Sequence, residues 1–331
     1  MDKIALGSAQ NRKDLFSETA SKMNTVPSII EKDFWVVWTL EKIFLDERLN
    51  RILMFKGGTS LSKVFDLIGR FSEDIDLILD WNLVTEQNPQ DSRGANKQDK
   101  YNKKVNKTAK AYIENNLLPI VSELVEPTCS CKIDEDNPHN INISYPVHFH
   151  DDYLRPEILL EIGPLAAWLP FDSFEISSYA AQKFPQVFAK AKCRVNAIVA
   201  KRTFWEKATI LQNTALRPEE KPLPPRYSRH YYDLALMSLS TVKDESLKDL
   251  GLLKEVTEFK SKFYMDKWSD YASAKPGSLK LLPPDFRIAE LKKDYKAMEH
   301  MIFDKYLVFE EILKILQALE DEINSLEQTD E

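Results

Sequence analysis

Asp74 and Asp76 stand one residue apart in an apolar run that follows a glycine pair, Gly57-Gly58. No other feature limits so strongly what the chain can fold into. Ile52-Leu53-Met54-Phe55 is short and bulky enough for a buried strand. Gly57-Gly58-Thr59-Ser60-Leu61-Ser62-Lys63 then opens a helix, and Arg70-Phe71-Ser72-Glu73-Asp74-Ile75-Asp76-Leu77 returns as a second strand. Side chains two apart on a strand point to one face, so Asp74 and Asp76 project together while Ile75 and Leu77 face the core. Two carboxylates that close repel each other, and a folded protein keeps such a pair beside a cation. Magnesium, which binds through a few carboxylates and a substrate's phosphates, fits that role. The N–H groups at the start of the helix after Gly57-Gly58 would meet a phosphate end-on. A glycine pair alone is a common turn, and Asp-x-Asp alone is common on exposed strands. The two together, in strand–glycine pair–helix–strand order, point to a nucleotide site.

A chain of 331 residues is long for one core and suggests two domains or one large elaborated one. The net charge of -7 excludes a wholly basic nucleic-acid coat, yet leaves room for RNA held by a local basic patch. No run approaches a membrane span and Met1 to Lys22 lacks an apolar leader core, so a cytoplasmic location without a membrane partner is expected. Three cysteines give no disulfide framework. Cys129 and Cys131, with His139, His148 and His150 beyond them, invite a zinc reading, but one intervening residue is tighter than zinc pairs normally use. Neighbouring strands over 128–133 and 141–145 explain the same residues, and no metal is assigned there.

In chain order, residues 8–23 read as a weakly amphipathic helix. Pro27-Ser28 with Glu31 three residues on carries a capping-box signature, with the proline just before the cap. Ile30, Phe34, Val37 and Phe44 then recur at helical spacing, in a helix that also carries Trp35 and Trp38 and covers the first strand. A strand over 51–56, a helix over about 58–68 and a strand over about 72–80 follow. Between Asp91 and Lys110, Arg93, Lys97, Lys100, Lys103, Lys104, Lys107 and Lys110 fall among polar residues. That run is either a solvated loop entering an exposed helix or a phosphate-contact surface, which needs several clustered cations. The helix continues to about Val125.

Strands are expected over 128–134, 140–147 and 156–162. In the last, Glu157 and Glu161 share a face but lie about 13 Å apart at about 3.3 Å per residue, too far for one metal centre. Glu161, embedded among apolar neighbours, is the candidate third carboxylate, because a buried carboxylate needs a partner. Glu157 is expected in solvent. The chain then turns helical, with a helix over Val195–Leu216 carrying Lys207 at the edge of a Phe204/Ala208/Leu211 stripe. Pro218–Pro225 breaks it. Arg226-Tyr227-Ser228-Arg229-His230-Tyr231-Tyr232-Asp233 opens another, in which Arg226, Arg229 and His230 either contact substrate phosphates or cap the helix. The remainder to Glu331 reads as amphipathic helix, and Phe309, Ile312, Leu316, Leu319, Ile323 and Leu326 form a packing stripe.

These residues resemble the AbiEii/AbiGii (MenT-type) toxin nucleotidyltransferases of the polymerase-beta-like superfamily. The first signature is Gly57-Gly58-Thr59-Ser60-Leu61 with Arg70-Phe71-Ser72-Glu73-Asp74-Ile75-Asp76-Leu77, and Gly58-Thr59 stands where the superfamily usually has Gly-Ser. The resemblance extends to Glu31-Lys32-Asp33-Phe34-Trp35, Leu160-Glu161-Ile162, Glu206-Lys207-Ala208 and Arg229-His230-Tyr231-Tyr232-Asp233-Leu234, covering about residues 28–240. It implies an α+β fold, with a nucleotidyltransferase domain over 1–190, built as a mixed sheet with flanking helices. A mostly helical domain over 191–331 would contribute Lys207 and Asp233 to a cleft between the two. It also implies a toxin of a toxin–antitoxin or phage-abortive system, with an antitoxin encoded nearby. Such a toxin would transfer a nucleotide from a nucleoside triphosphate to RNA, in particular the 3′ acceptor end of tRNA. By position, the resemblance makes Asp74 and Asp76 ligands of magnesium (or manganese in its place), with Glu161 the third carboxylate. Ser72 becomes a signature residue open to regulatory phosphorylation. Gly57, Gly58, Thr59 and Ser60 would bind the triphosphate, Lys207 would neutralise its charge, and Asp233 would hold Lys207 or the nucleotide. Further substrate contacts fall on Lys56, Arg70, Arg229 and His230. Nucleotidylation of a protein hydroxyl is the competing enzymatic reading, and a catalytically silent nucleotide-binding module is the non-enzymatic one.

Overall fold

The apolar runs on either side of the glycine pair form the centre of a seven-stranded mixed sheet. Its strands are β1 (Leu53–Lys56), β2 (Ile75–Leu79), β3 (Ser130–Ile133), β4 (Asn140–Ser144), β5 (Glu157–Gly163), β6 (Phe171–Ile176) and β7 (Cys193–Ile198). Their order is β3-β4-β5-β2-β1-β7-β6. β1 runs antiparallel to β2 and parallel to β7, and β2 runs parallel to β5. The computed structural model describes residues 1–151 and 154–326, so the last five residues of the helical stretch expected to reach Glu331 lie outside the described residues. The chain divides into one unit of Met1–Phe65 with Phe71–Ile198, which holds the sheet, and another of Asp66–Arg70 with Val199–Glu331.

In the sheet unit the helices are α1 (Asp2–Ala5), α2 (Ala9–Met23), α3 (Pro27–Leu45), α4 (Glu47–Asn50), α5 (Gly57–Lys63), α6 (Ala95–Tyr112), α7 (Leu118–Val125) and α8 (Tyr179–Lys183). α3 packs on the sheet against β5 and β7. It is buried nearly all round, charged residues included, which makes it a core helix rather than an amphipathic cover. The expected capping box is not formed. Pro27 occupies the first helical turn, where its missing N–H removes nothing. The Ser28 hydroxyl donates to Asp151 Oδ2 at 3.1 Å, and the Glu31 carboxylate accepts from the His148 and Phe149 N–H groups.

Two expectations for the next segments are corrected. The helix after the glycine pair ends at Lys63 rather than near residue 68, and Asp66 takes a left-handed φ of 50°. Residues 195–198 are not helical: β7 runs to Ile198, and α9 (Ala200–Ala215) starts beyond it. Cys193, Val195 and Ala197 are buried while Arg194 is exposed, an alternation with the period of a strand. β6, whose residues are mostly exposed, completes that edge by pairing antiparallel with β7.

The second unit is helical: α9, α10 (Arg229–Ser238), α11 (Thr241–Leu247), α12 (Leu250–Phe263), α13 (Asp285–Met298) and α14 (Phe309–Asn324). α14 buries Phe309, Ile312, Leu316, Leu319 and Ile323 and packs on α10. The Asp66–Arg70 segment is woven into this unit. Phe303 and Asp304 donate their N–H groups to the Gly69 carbonyl, and Arg70 bridges Ile302. A Cβ on Gly69 would stand 1.9 Å from the Asp304 carbonyl oxygen, so only glycine permits the approach.

Candidate active site

From Phe71 to Leu77 burial alternates without a break. Phe71, Glu73, Ile75 and Leu77 are buried, and Ser72, Asp74 and Asp76 are partly exposed. The ladder of β2 begins only at Ile75, yet the alternation already puts Asp74 on the side of Asp76. Register then extends that side into a polar row across the sheet. Lys56 of β1 pairs with Asp76 of β2, Asp76 with Glu161 of β5, and Glu161 with Asn140 of β4. Residues paired across strands share a face, so these four side chains are neighbours. One step along the same face lie Met54 and Ile78, buried with Ile198 beneath Ala166 and Trp168. The carboxylates thus border an apolar floor. Glu161 joins this row, but it is exposed rather than buried as expected, because it lies on the open side of β5.

Gly57 sets the distance between the helix start and the row. Its φ is +83°, and a Cβ there would stand 1.9 Å from Asp76 Oδ2. The missing side chain is the space that the Asp76 carboxylate fills. The Ser60 hydroxyl donates to the Gly57 carbonyl at 2.8 Å. The Thr59 hydroxyl bonds the Asp74 carbonyl and lies 3.0 Å from Ser72 Oγ. Both side chains are fully buried, so what this turn can offer a phosphate is backbone N–H.

Three charged residues of α3, of which Lys32 and Asp33 enter the sequence reading only through family resemblance, hold the segments around this loop from behind. Lys32 Nζ bonds Glu73 Oε2 at 2.6 Å and the Arg155 carbonyl at 2.7 Å, with both charged side chains almost wholly buried. Asp33 accepts from Lys63 Nζ at 2.6 Å, at the end of α5, and from the Tyr179 N–H. Glu31 caps the amides of His148 and Phe149. A buried ion pair contributes little net stability. What Lys32–Glu73 supplies is position: Glu73 is the residue before Asp74, in the part of the signature that precedes the ladder. The sequence signal was there, as three consecutive charges flanked by the apolar residues Ile29, Ile30, Phe34 and Trp35.

In the helical unit Asp233 is the hub. Its fully buried carboxylate takes Arg70 Nε at 2.7 Å on one oxygen, and Arg70 Nη2 and Lys207 Nζ, each at 2.8 Å, on the other. Burial pushes this carboxyl up, but the Arg70 guanidinium and the Lys207 ammonium outweigh it and hold the group well below the usual aspartate range. Lys207 moves down because burial opposes its charge, with Asp233 acting against that. His230 Nδ1 lies 3.1 Å from Lys207 Nζ. An ammonium has only donors, so Nδ1 accepts and His230 is neutral. Burial and the neighbouring Lys207 and Arg229 charges push its pKa far down, to the same effect. The start of α10 is fixed by Asp294, which accepts from the Arg226 and Ser228 N–H groups and the Ser228 hydroxyl. Lys207, expected at a stripe's edge, is buried. Arg70, expected as a substrate contact, turns its guanidinium to Asp233. Arg229 stays partly exposed.

The donors suit a hard cation. Asp74 and Asp76 are oxygen ligands, and magnesium takes one or two carboxylates with substrate phosphates and water. Among the described residues no three His, Cys, Asp or Glu side chains converge as a metal-holding group, which a two-carboxylate site does not require. Cys129 and Cys193 are buried thiols pushed up to about 12 by burial.

A family model described as "Nucleotidyl transferase AbiEii toxin, Type IV TA system" matches residues 38–315. Among solved structures, JHP933 from Helicobacter pylori is similar at 13% identity and a TM-score of 0.41, over 86% of this chain and 88% of that one. MenT4, a nucleotidyltransferase toxin from Mycobacterium tuberculosis, is similar at 14% identity and a TM-score of 0.41, over 92% of this chain and 98% of that one. No curated protein matches.

Proposed function

The chain belongs to the AbiEii nucleotidyl transferase toxin family of type IV toxin–antitoxin systems, and from that premise we propose that it transfers a nucleotide from a nucleoside triphosphate to RNA, at the 3′ acceptor end of tRNA. The observation that carries the reading is the fit of Gly57 against Asp76: the phosphate-binding turn and the carboxylate row are built in contact. The acceptor hydroxyl forms a bond to the α-phosphorus, and the bond to pyrophosphate breaks. Asp74 and Asp76 would hold magnesium, which would stabilise charge on the attacking and leaving oxygens. Glu161 stands next to Asp76 as the third carboxylate. The first N–H groups of α5 bind the triphosphate, with Lys56 beside them. In the helical unit, one of the three Lys207 N–H donors serves Asp233 and one His230, and the third is the one this unit offers to an anionic group. Asp233 holds Lys207, Arg70 holds Asp233, and both act as positioning residues. An antitoxin partner follows from the family.

The acceptor is tested by incubating the purified protein with magnesium, each labelled nucleoside triphosphate, and either total tRNA or cell protein. Label is expected in RNA and absent with Asp74→Ala. Label in protein alone refutes the RNA reading.

A further inference from the structure

The lysine run at 97–110 is absorbed neither by the fold nor by the carboxylate row. It lies on α6, whose buried stripe is Gln98, Tyr101, Val105 and Ala109. At 100° per residue, Lys100, Lys103, Lys107 and Lys110 fall on the opposite side, Lys97 and Lys104 flank the stripe beside Tyr101, and all six are exposed. The face runs for about 20 Å at 1.5 Å per residue. Among the described residues only Lys103 of these six makes an ion pair, with Asp99 at 2.7 Å. The lysines recur at spacings of three and four, where like charges repel. A chain of net charge -7 thus sets six lysines along one helix, five of them without an ion pair among the described residues.

Beside this face is a cleft of about 530 Å³ between the Asn82–Gln87 loop and α6, bordered by Leu83, Val84, Glu86, Tyr101, Lys104 and Thr108. That volume lies in the range of small-molecule sites, about 300–1,000 Å³. Single-stranded nucleic acid is held by this pairing of elements, cations along the backbone and a recess for a base. An acidic protein would use the cations and leave the cleft without a role. The cleft opens beyond the end of β2 that is farther from Asp76, so a molecule reaching both must be more than a mononucleotide.

We propose that the lysine face of α6 and the cleft beside it form the docking surface for the acceptor RNA, with phosphates on Lys100, Lys104 and Lys107 and an unstacked base in the cleft. This rests on the RNA reading of the active site and gives it a location. The test uses the full chain and total tRNA, with binding measured across salt concentrations and label transfer measured in parallel. The triple variant Lys100→Gln/Lys104→Gln/Lys107→Gln changes only exposed side chains. It is expected to bind at least about tenfold more weakly, with a salt slope shallower by about 2, since each phosphate contact on a single strand contributes about 0.7. Its rate at saturating RNA should equal that of wild type. Thr108→Trp, which fills the cleft and removes no charge, should weaken binding and leave the slope unchanged. A triple variant with wild-type affinity and slope, while wild type still labels RNA, overturns this inference alone. Wild type that neither binds nor labels RNA overturns the acceptor reading with it. Wild-type RNA affinity in the triple variant, together with lost binding of a polyglutamate peptide, assigns the face to an acidic protein and likewise overturns the inference.

Discussion

Lys32 and Glu73 allow stability and activity to be pulled apart. Their charges meet at 2.6 Å with side-chain exposures of 1% and 4%. Lys32→Met leaves the Glu73 carboxylate buried without its cation, and Glu73→Met does the reverse. Breaking such a pair from one side costs about 3–5 kcal/mol. At about 2–4 °C per kcal/mol for a unit of this size, each single variant should melt about 6–20 °C lower. Replacing both partners by apolar side chains of similar volume recovers about 1–4 kcal/mol relative to an intact pair. The Arg155 carbonyl, left without its Lys32 donor, offsets that by about 1–3 kcal/mol. Lys32→Met/Glu73→Met should therefore melt near wild type. Activity should not return with it. Asp74 precedes the β2 ladder and is placed by the Glu73–Lys32 pair and by the Thr59 hydroxyl on its carbonyl. A displacement of about 1 Å at a reacting group can reduce rate about 100-fold. Melting by calorimetry and initial rates of label transfer, measured on wild type, both singles and the double, give the full cycle. A double variant that melts near wild type and also transfers at the wild-type rate refutes the positioning role. A double variant less stable than either single refutes the account of the pair itself.

Gly57→Ala should reduce transfer about 100-fold with nucleotide binding still measurable, because the new Cβ displaces the Asp76 carboxylate; rate and nucleotide affinity measured separately check it. Asp233→Asn should destabilise by about 3–5 kcal/mol, since Arg70 and Lys207 lose the charge they share. The folded pKa of Asp233 lies below its unfolded value, so its contribution is fully present above about pH 4 and is lost as pH falls through the folded pKa. Stability measured from pH 7 down to pH 2 should show a steeper acid decline in wild type than in Asp233→Asn.

What could be read in the sequence was whatever rests on local period. The alternation Phe71 to Leu77 gave the carboxylate face, and the apolar run before Gly57 gave β1. The stripe Phe309 to Ile323 gave α14. Register was not legible. Nothing in Leu160-Glu161-Ile162 says that Glu161 pairs with Asp76, or that it lies on the open side of β5. The same limit hid the charge partners. Glu31-Lys32-Asp33 could be seen as unusual between apolar neighbours, but Glu73, Lys63 and the His148 amide come from segments 30 to 117 positions away. Arg70 shows a further limit. It was read as a substrate contact because it sits in the signature, whereas the five-residue excursion Asp66–Arg70 gives it to the helical unit and to Asp233. β7 was misread where apolar residues on both sides of Asn196 fit a helix as well as a strand, a common ambiguity for short apolar runs.

The central claim is that Asp74 and Asp76, set against the turn at Gly57, carry nucleotidyl transfer. The most direct measurement is label transfer from α-labelled nucleoside triphosphate to tRNA by wild type, Asp74→Asn and Asp76→Asn, with magnesium and with chelator. Each variant keeps its side-chain shape and loses its charge. Transfer is expected for wild type with magnesium only, and neither variant should reach about 1% of that rate. Wild-type transfer by either variant, or unchanged transfer in chelator, would contradict the claim.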